Sequence, residues 1–138
     1  MRKSLAQRVE QAGYTIQDDG TIKGKRGNIL KPWLQSSGYP VVNIVFKKGT
    51  KTTTLVHRII ASKYCPCSDP LANDVNHKDG IKTNNAASNL EWITRRQNRN
   101  HYLGFEDYMT LTAEDARKKN NERTIARRKL LKQLNNKD

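Results

Sequence analysis

The side chains best suited to chemistry fall in one stretch, DVNHKDGIKTNNAASNLEW, residues 74–92. It holds His77 and four asparagines, Asn76, Asn84, Asn85 and Asn89, between two short apolar runs. An imidazole titrates near about 6.5, so its neutral form can take a proton at ordinary pH. Asparagine forms helices and strands poorly and favours turns. Its amide oxygen is also a hard, uncharged donor of the kind Mg²⁺ or Mn²⁺ accepts. The stretch can therefore be a long surface turn or a site. Asn98, 21 residues after His77, bears on the choice, provided the fold brings it near.

The flanking segments suggest how it would. DVNH reads as a short strand entering the asparagine-rich stretch and NLEWIT as a second strand leaving it, with Leu90, Trp92 and Thr94 alternating with Glu91 and Ile93. TRRQNRNHYLG then reads as a helix: Thr94 as N-cap and Gln97 three residues on make a capping box, and Gly104 is the stop. Two strands pairing as a hairpin, with the helix packed across them, would let a histidine on the first strand face the first turns of the helix, where Asn98 lies. Asn84 and Asn85 are read as turn formers with no chemistry.

The 26 Lys and Arg against 13 Asp and Glu give a net charge of +13 and a pI near 10. Such an excess repels itself in a compact chain and calls for a polyanionic partner, nucleic acid first and an anionic membrane surface second. No apolar run approaches the roughly 20 residues that cross a bilayer, and the opening MRKSLAQRVEQAGY lacks the apolar core of a secretory signal. A cytoplasmic protein is expected. Cys65 and Cys67 flank a single proline, an awkward spacing for an unstrained disulfide.

Upstream, KSLAQRVEQAG reads as a helix with Leu5 and Val9 on one face and Gly13 as its stop. YTIQDDGTIKG and GYPVVNIVFKKGTKTTTLV read as two hairpins, turning at Asp18-Asp19-Gly20 and Lys48-Gly49-Thr50, that together form a small antiparallel sheet. VHRIIASKY is a helix with Ile59, Ile60 and Tyr64 toward the core. From Thr112 the chain is helical in propensity and basic, nine Lys and Arg against four Asp and Glu over residues 112–138. Its Ile125, Leu130, Leu131 and Leu134 keep no clean helical stripe, so it is either a solvated helix or an arm on a nucleic-acid backbone.

VNHKDGIKTNNAASNLEWITRRQN resembles the HNH endonuclease motif in the form found in small phage and intron-associated homing endonucleases. GYPVVNIVFKKGTKTTTLVHRIIASKY resembles the strand pair and helix that precede that motif, and the N-terminal hairpin is similar to the family's DNA-contacting module. The resemblance covers residues 14 to 101. It implies an α+β protein of the ββα-metal superfamily, with residues 1–55 as an N-terminal antiparallel sheet that contacts DNA, 56–104 as the central hairpin–helix nuclease motif and 105–138 as a basic helical arm. It implies a hydrolase of DNA phosphodiester bonds, by site-specific nicking or double-strand cleavage, that leaves 5′-phosphate and 3′-hydroxyl ends.

Position by position, the resemblance makes His77 the general base and Asn98 a metal ligand. Asn76 is a second ligand where the family uses Asp, His or Asn, and Asn89 ties the loop and so fixes His77. The implied cofactor is Mg²⁺ or Mn²⁺; a structural zinc would need two Cys pairs, and only one poor pair exists. The implied partner is double-stranded DNA, bound by a monomer that nicks unless the chain dimerises on a palindrome. For a phage or intron protein the compartment would be the bacterial host cytoplasm. Arg58, Lys78, Arg95, Arg96 and Arg99 near the motif, with Lys25, Arg26, Lys47 and Lys48 at the sheet's turns, are candidate phosphate contacts. His57 could line the cleft, or its ring could pin the start of its helix. The alternative is a non-catalytic binder of DNA or structured RNA on a degenerate HNH scaffold.

Overall fold

A computed structural model describes residues 2–136; Met1, Lys137 and Asp138, at the ends of the first and last expected segments, lie outside them. The chain forms two compact units, one up to Thr94 and one from Arg95. In the first, α1 (Leu5–Gln11) opens on a capping box: Ser4 Oγ accepts from Gln7 N–H while the Gln7 side chain accepts from Ser4 N–H. Gly13 closes it in the left-handed region, φ 99°, with Tyr14 N–H returning to Val9 O and Gly13 N–H to Glu10 O. The stop at Gly13 is as the sequence predicts; the capping box at Ser4 is an addition of the structure.

The two hairpins form at the expected turns but not in one sheet. β1 (Thr15–Ile16) pairs only with β2 (Ile22–Lys23), while β4 (Pro40–Lys47) and β5 (Thr50–Leu55) belong to a separate three-stranded sheet. Its third strand, β3 (Trp33–Leu34), is two residues long and carries no alternation to read. One sheet was the wrong expectation because register between hairpins is set by tertiary packing, and nothing in the turns encodes it.

α2 (Val56–Tyr64) is the hub of this unit, packing on α1, β1, β4, β5, β6 (Asp74–His77) and β7 (Leu90–Ile93). Ile59, Ile60 and Ala61 are fully buried among Val9, Ile16, Ile44, Val75 and Leu90. Tyr64, expected in this core, is 37% exposed; only its hydroxyl turns inward, donating to Ile16 O at 2.7 Å. Ser62 Oγ takes Ala6 N–H at 3.0 Å. Lys63 pairs with Glu10. The last turn of α2 is thus fastened to α1 and β1 by side chains. Its C-cap, Cys65, is a free thiol that donates to Leu90 O at 3.3 Å and so reaches β7. Burial pushes that thiol's pKa up.

In the second unit, α3 (Arg95–Tyr102) ends at Gly104, φ 77°, with Phe105 N–H on Asn100 O and Gly104 N–H on His101 O. α4 (Ala113–Asn135) starts at Thr112, whose hydroxyl accepts from Asp115 N–H at 3.1 Å. None of its described residues is buried, and Ile125, Leu130, Leu131 and Leu134 are exposed. Among the described residues no helix is long and apolar enough to cross a membrane.

The β1–β2 turn does more than reverse the chain. Gly20 sits at φ 96°, and a Cβ there would lie 2.8 Å from the backbone oxygen of Asn85. Beside it, Ala87 N–H donates to Asp18 O at 2.7 Å. Gly49, at the β4–β5 turn, has φ 83° but open space around it. Alanine at either position bears the left-handed backbone strain of about 1 kcal/mol, and only at Gly20 does it also meet backbone. Urea unfolding of Gly20→Ala should therefore show a loss about 1–2 kcal/mol larger than Gly49→Ala. Equal losses would mean the turn does not press on the loop.

Candidate active site

β6 and β7 pair antiparallel, with His77 opposite Leu90, Asn76 opposite Glu91, Val75 opposite Trp92 and Asp74 opposite Ile93. Neighbouring side chains leave a strand on opposite faces. Val75, His77, Leu90 and Trp92 therefore share the face toward α2, where Trp92 Nε1 donates to Ala61 O at 3.2 Å. Asn76 and Glu91 share the other. Trp92 is a packing residue here, with the Arg58 guanidinium 5.7 Å from its ring centre.

His77 is 5% exposed, and its Nε2 lies 2.8 Å from Asn85 Oδ1. An amide oxygen only accepts, so Nε2 is the donor, and in the neutral ring the lone pair then lies on Nδ1. Tyr39 and His57 pack around the ring at centroid distances of 5.9 and 5.1 Å. Asn85 is itself buried, at 7%. The sequence marked it only as a turn former. Its distance of eight residues from His77, across an irregular loop, gives no periodic signal.

The loop between the strands is organised by an acidic residue that the sequence reading did not single out. Asp79 accepts from Ile81 N–H at 2.8 Å, from the Asn84 amide at 2.8 Å and from the Asn89 amide at 2.9 Å. Asn89 Oδ1 in return accepts Asp79 N–H at 3.1 Å, and its amide nitrogen also reaches Asn84 O at 2.9 Å. Lys78 N–H adds a backbone bond to Asn89 O at 2.8 Å. Chiefly the Asn84 amide, then Ile81 N–H and Asn89, hold the Asp79 carboxyl below the usual carboxylate range. Asn89, itself 9% exposed, is thus bonded at both ends of its amide to the loop that carries Asn85.

Asn76 is 6% exposed, and its amide nitrogen donates to Glu91 Oε1 at 2.9 Å. That commits the nitrogen and leaves the oxygen as the atom offered to a ligand, the donor type a divalent cation needs. Asn98 is half-buried on α3, in the second unit. Among the described residues no three His, Cys, Asp or Glu side chains gather.

The basic candidates are used variously. Arg58 donates to Asn73 O at 3.1 Å, and Lys78 to Ser88 O at 3.2 Å, both bracing the hairpin. Lys25 lies over the Tyr14 ring at 5.8 Å. Arg26, Lys47 and Lys48 are exposed around the turns of the first unit. Arg95, Arg96 and Arg99 are exposed on α3, where Arg96 and Arg99 share a cleft with Arg117 of α4. Lys82, absent from the expected set, donates to Ser37 O at 2.8 Å and lies 4.7 Å from the centre of the Tyr39 ring.

His57, at the start of α2, is 5% exposed and its Nδ1 has no hydrogen-bond partner among the described residues. Its ring lies 4.9 Å from Tyr39 as well as against His77. Burial first, then the charges of His77 and Arg58, lower its pKa to about 4. It stays neutral beside His77 at ordinary pH.

A sequence profile described as HNH endonuclease matches residues 54–100. The chain is 35% identical over 86 residues to the DNA endonuclease I-HmuI of Bacillus phage SP01, covering 62% of this chain and 48% of that one. It is 37% identical over 103 residues to the putative HNH homing endonuclease YosQ, from the SPbeta prophage of Bacillus subtilis strain 168 (72% and 57% covered). It is 38% identical over 90 residues to the uncharacterised HNH endonuclease L245 of Acanthamoeba polyphaga mimivirus (65% and 27% covered). The chain thus spans about a quarter to just over half of these relatives' lengths. A solved structure described as DNA binding and cleavage by the HNH homing endonuclease I-HmuI superposes with a TM-score of 0.62 at 29% identity, over 80% of this chain and 62% of that one.

Two outcomes follow from the geometry. Asn85→Ala leaves a buried His77 N–H without its acceptor and should cost about 1–3 kcal/mol in urea unfolding; no change would remove Asn85 from the account. His57, with a folded pKa of about 4, refuses a proton that the unfolded chain accepts near about 6.5. Its stabilising contribution is complete above that value and is lost as pH falls toward 4. Between about pH 7.5 and 4.5 the wild type should lose about 2–3 kcal/mol more than His57→Asn. Parallel pH profiles would contradict this.

Proposed function

The chain belongs to the HNH endonuclease family through residues 54–100, and from that premise we propose that it is a metal-dependent endonuclease of double-stranded DNA. The observation that carries the reading is the 2.8 Å contact between His77 Nε2 and Asn85. With Nε2 committed, Nδ1 is the basic atom, and it takes the proton from a water attacking the phosphorus. Asn85 keeps the ring in that tautomer. Asn89 and Asp79 hold the loop that holds Asn85.

Asn76 and Asn98 offer amide oxygens to Mg²⁺ or Mn²⁺, which when bound polarises the phosphate and stabilises the departing 3′ oxygen. Two neutral amides bind such a cation weakly, so the site assembles chiefly with DNA phosphate present. Cleavage leaves 5′-phosphate and 3′-hydroxyl ends. Neutral His57 adds no positive charge beside the base, and its ring and that of Tyr39 shield His77 from bulk water.

The labour divides along the chain. Residues 1–55 offer Lys25, Arg26, Lys47 and Lys48 to the duplex, 56–104 carry the chemistry, and 105–138 add a basic arm. Arg95, Arg96 and Arg99 neutralise phosphates near the cut. Arg58 and Lys78, both already bonded to backbone carbonyls, contribute charge from fixed positions. One site per chain favours a monomer that nicks. The second reading, a non-catalytic binder, draws on Asn76, an uncharged residue at a ligand position.

Incubating supercoiled plasmid with the protein and Mg²⁺ separates the two. Wild type should nick and His77→Ala should be slower by about 10²–10⁴-fold, the usual worth of a positioned base. Equal cleavage by both, or none by either across metals and sequences, would contradict the assignment. Tighter binding to structured RNA than to duplex DNA in the same salt would favour an RNA partner.

A further inference from the structure

A divalent cation held by two neutral amides lacks the negative charge that metal sites ordinarily supply, and an amide binds a cation only through its oxygen. Asn76 must therefore present Oδ1 and not Nδ2, although the two ends have nearly the same shape. The residue that makes the distinction stands directly across the ladder. Glu91 is the cross-strand partner of Asn76, and its Oε1 accepts from Asn76 Nδ2 at 2.9 Å. A carboxylate has no proton to donate, so it faces the NH₂ end and turns the oxygen away from itself. With Asn76 only 6% exposed, water has little room to favour the opposite rotamer.

We propose that Glu91 is the positioning residue of the metal site: it fixes the Asn76 amide with its oxygen turned from the carboxylate and supplies the negative charge that the two amide ligands lack. The inference rests on the metal reading given under Proposed function. Glu91 acts through Asn76. Its charge draws electron density toward the amide oxygen and attracts the cation through space. Carboxylates hydrogen-bonded to ligands commonly tune metal affinity this way. The contact is not needed to hold the hairpin: β6 and β7 have their own backbone ladder, and Val75, Leu90 and Trp92 anchor them on α2.

Glu91→Gln removes the charge and, with both a donor and an acceptor end, no longer dictates which way Asn76 faces. Free Mn²⁺ is titrated by its paramagnetic resonance signal against the full chain bound to a nuclease-resistant DNA duplex, with the duplex alone as the blank and thermal melting as the check on folding. Glu91→Gln should keep its melting temperature and bind Mn²⁺ about 10-fold more weakly. The double variant Asn76→Asp/Glu91→Gln moves the charge onto the ligand itself and should regain at least the wild-type affinity. Asn76→Asp alone sets two carboxylates against each other across the ladder and should gain less than the double variant. Wild-type affinity in Glu91→Gln, beside weakened binding in Asn98→Ala, overturns the role of Glu91 and leaves the metal reading standing. Equal binding by wild type and Asn98→Ala, or none by either, overturns the metal reading and this role with it. If Glu91→Gln does not fold, Glu91 is a strut of the hairpin and the proposal fails.

Discussion

The hydrogen bond from His77 Nε2 to Asn85 Oδ1 decides which end of a symmetric-looking ring is basic, and the rest of the first unit bears on keeping it. Asn85 lies on an irregular loop, the kind of segment that would otherwise sample many conformations. Asp79 and Asn89 remove that freedom by bonding each other and Asn84. The β1–β2 turn presses on the loop from outside through Gly20 and Asp18. The N-terminal hairpin thus has a mechanical task at the loop that carries Asn85.

The chemistry of the surroundings is consistent with that task. His57 is buried against His77 and held neutral by the cost of burying its charge. The +13 net charge is carried mostly on exposed turns and on α3 and α4, where a polyanion can reach it. A small core built on one nine-residue helix, α2, can position the hairpin because that helix is fastened at its far end as well, by Ser62, Lys63, Tyr64 and Cys65.

Much of this was legible in the residues. α1 with its stop at Gly13, α2, the turns at Gly20 and Gly49, β6, β7, α3 with its stop at Gly104 and the start of α4 at Thr112 follow from helical spacing, left-handed glycines and alternation. The mixed α/β class with antiparallel sheets and the likeness to HNH endonucleases could be read from the motif around His77. What escaped was long-range. The separation of β1–β2 from the other sheet depends on packing, and β3 is too short to show a period. Tyr64 was expected in the core because helical spacing reports a face without reporting its depth. Asn85 and Asp79 read as turn chemistry because turn chemistry is what they also perform. Glu91 stood out only once the β6–β7 register placed it opposite Asn76.

The central claim is that Asn85 fixes the proton of His77 on Nε2 and leaves Nδ1 basic. Long-range ¹⁵N–¹H correlation of the histidine rings, on protein labelled with ¹⁵N and held alkaline of the imidazole titration, reads this directly. The account predicts a single His77 tautomer with a protonated Nε2 and an unprotonated Nδ1, lost in Asn85→Ala. A protonated Nδ1, or the same mixture of tautomers with and without Asn85, would contradict it.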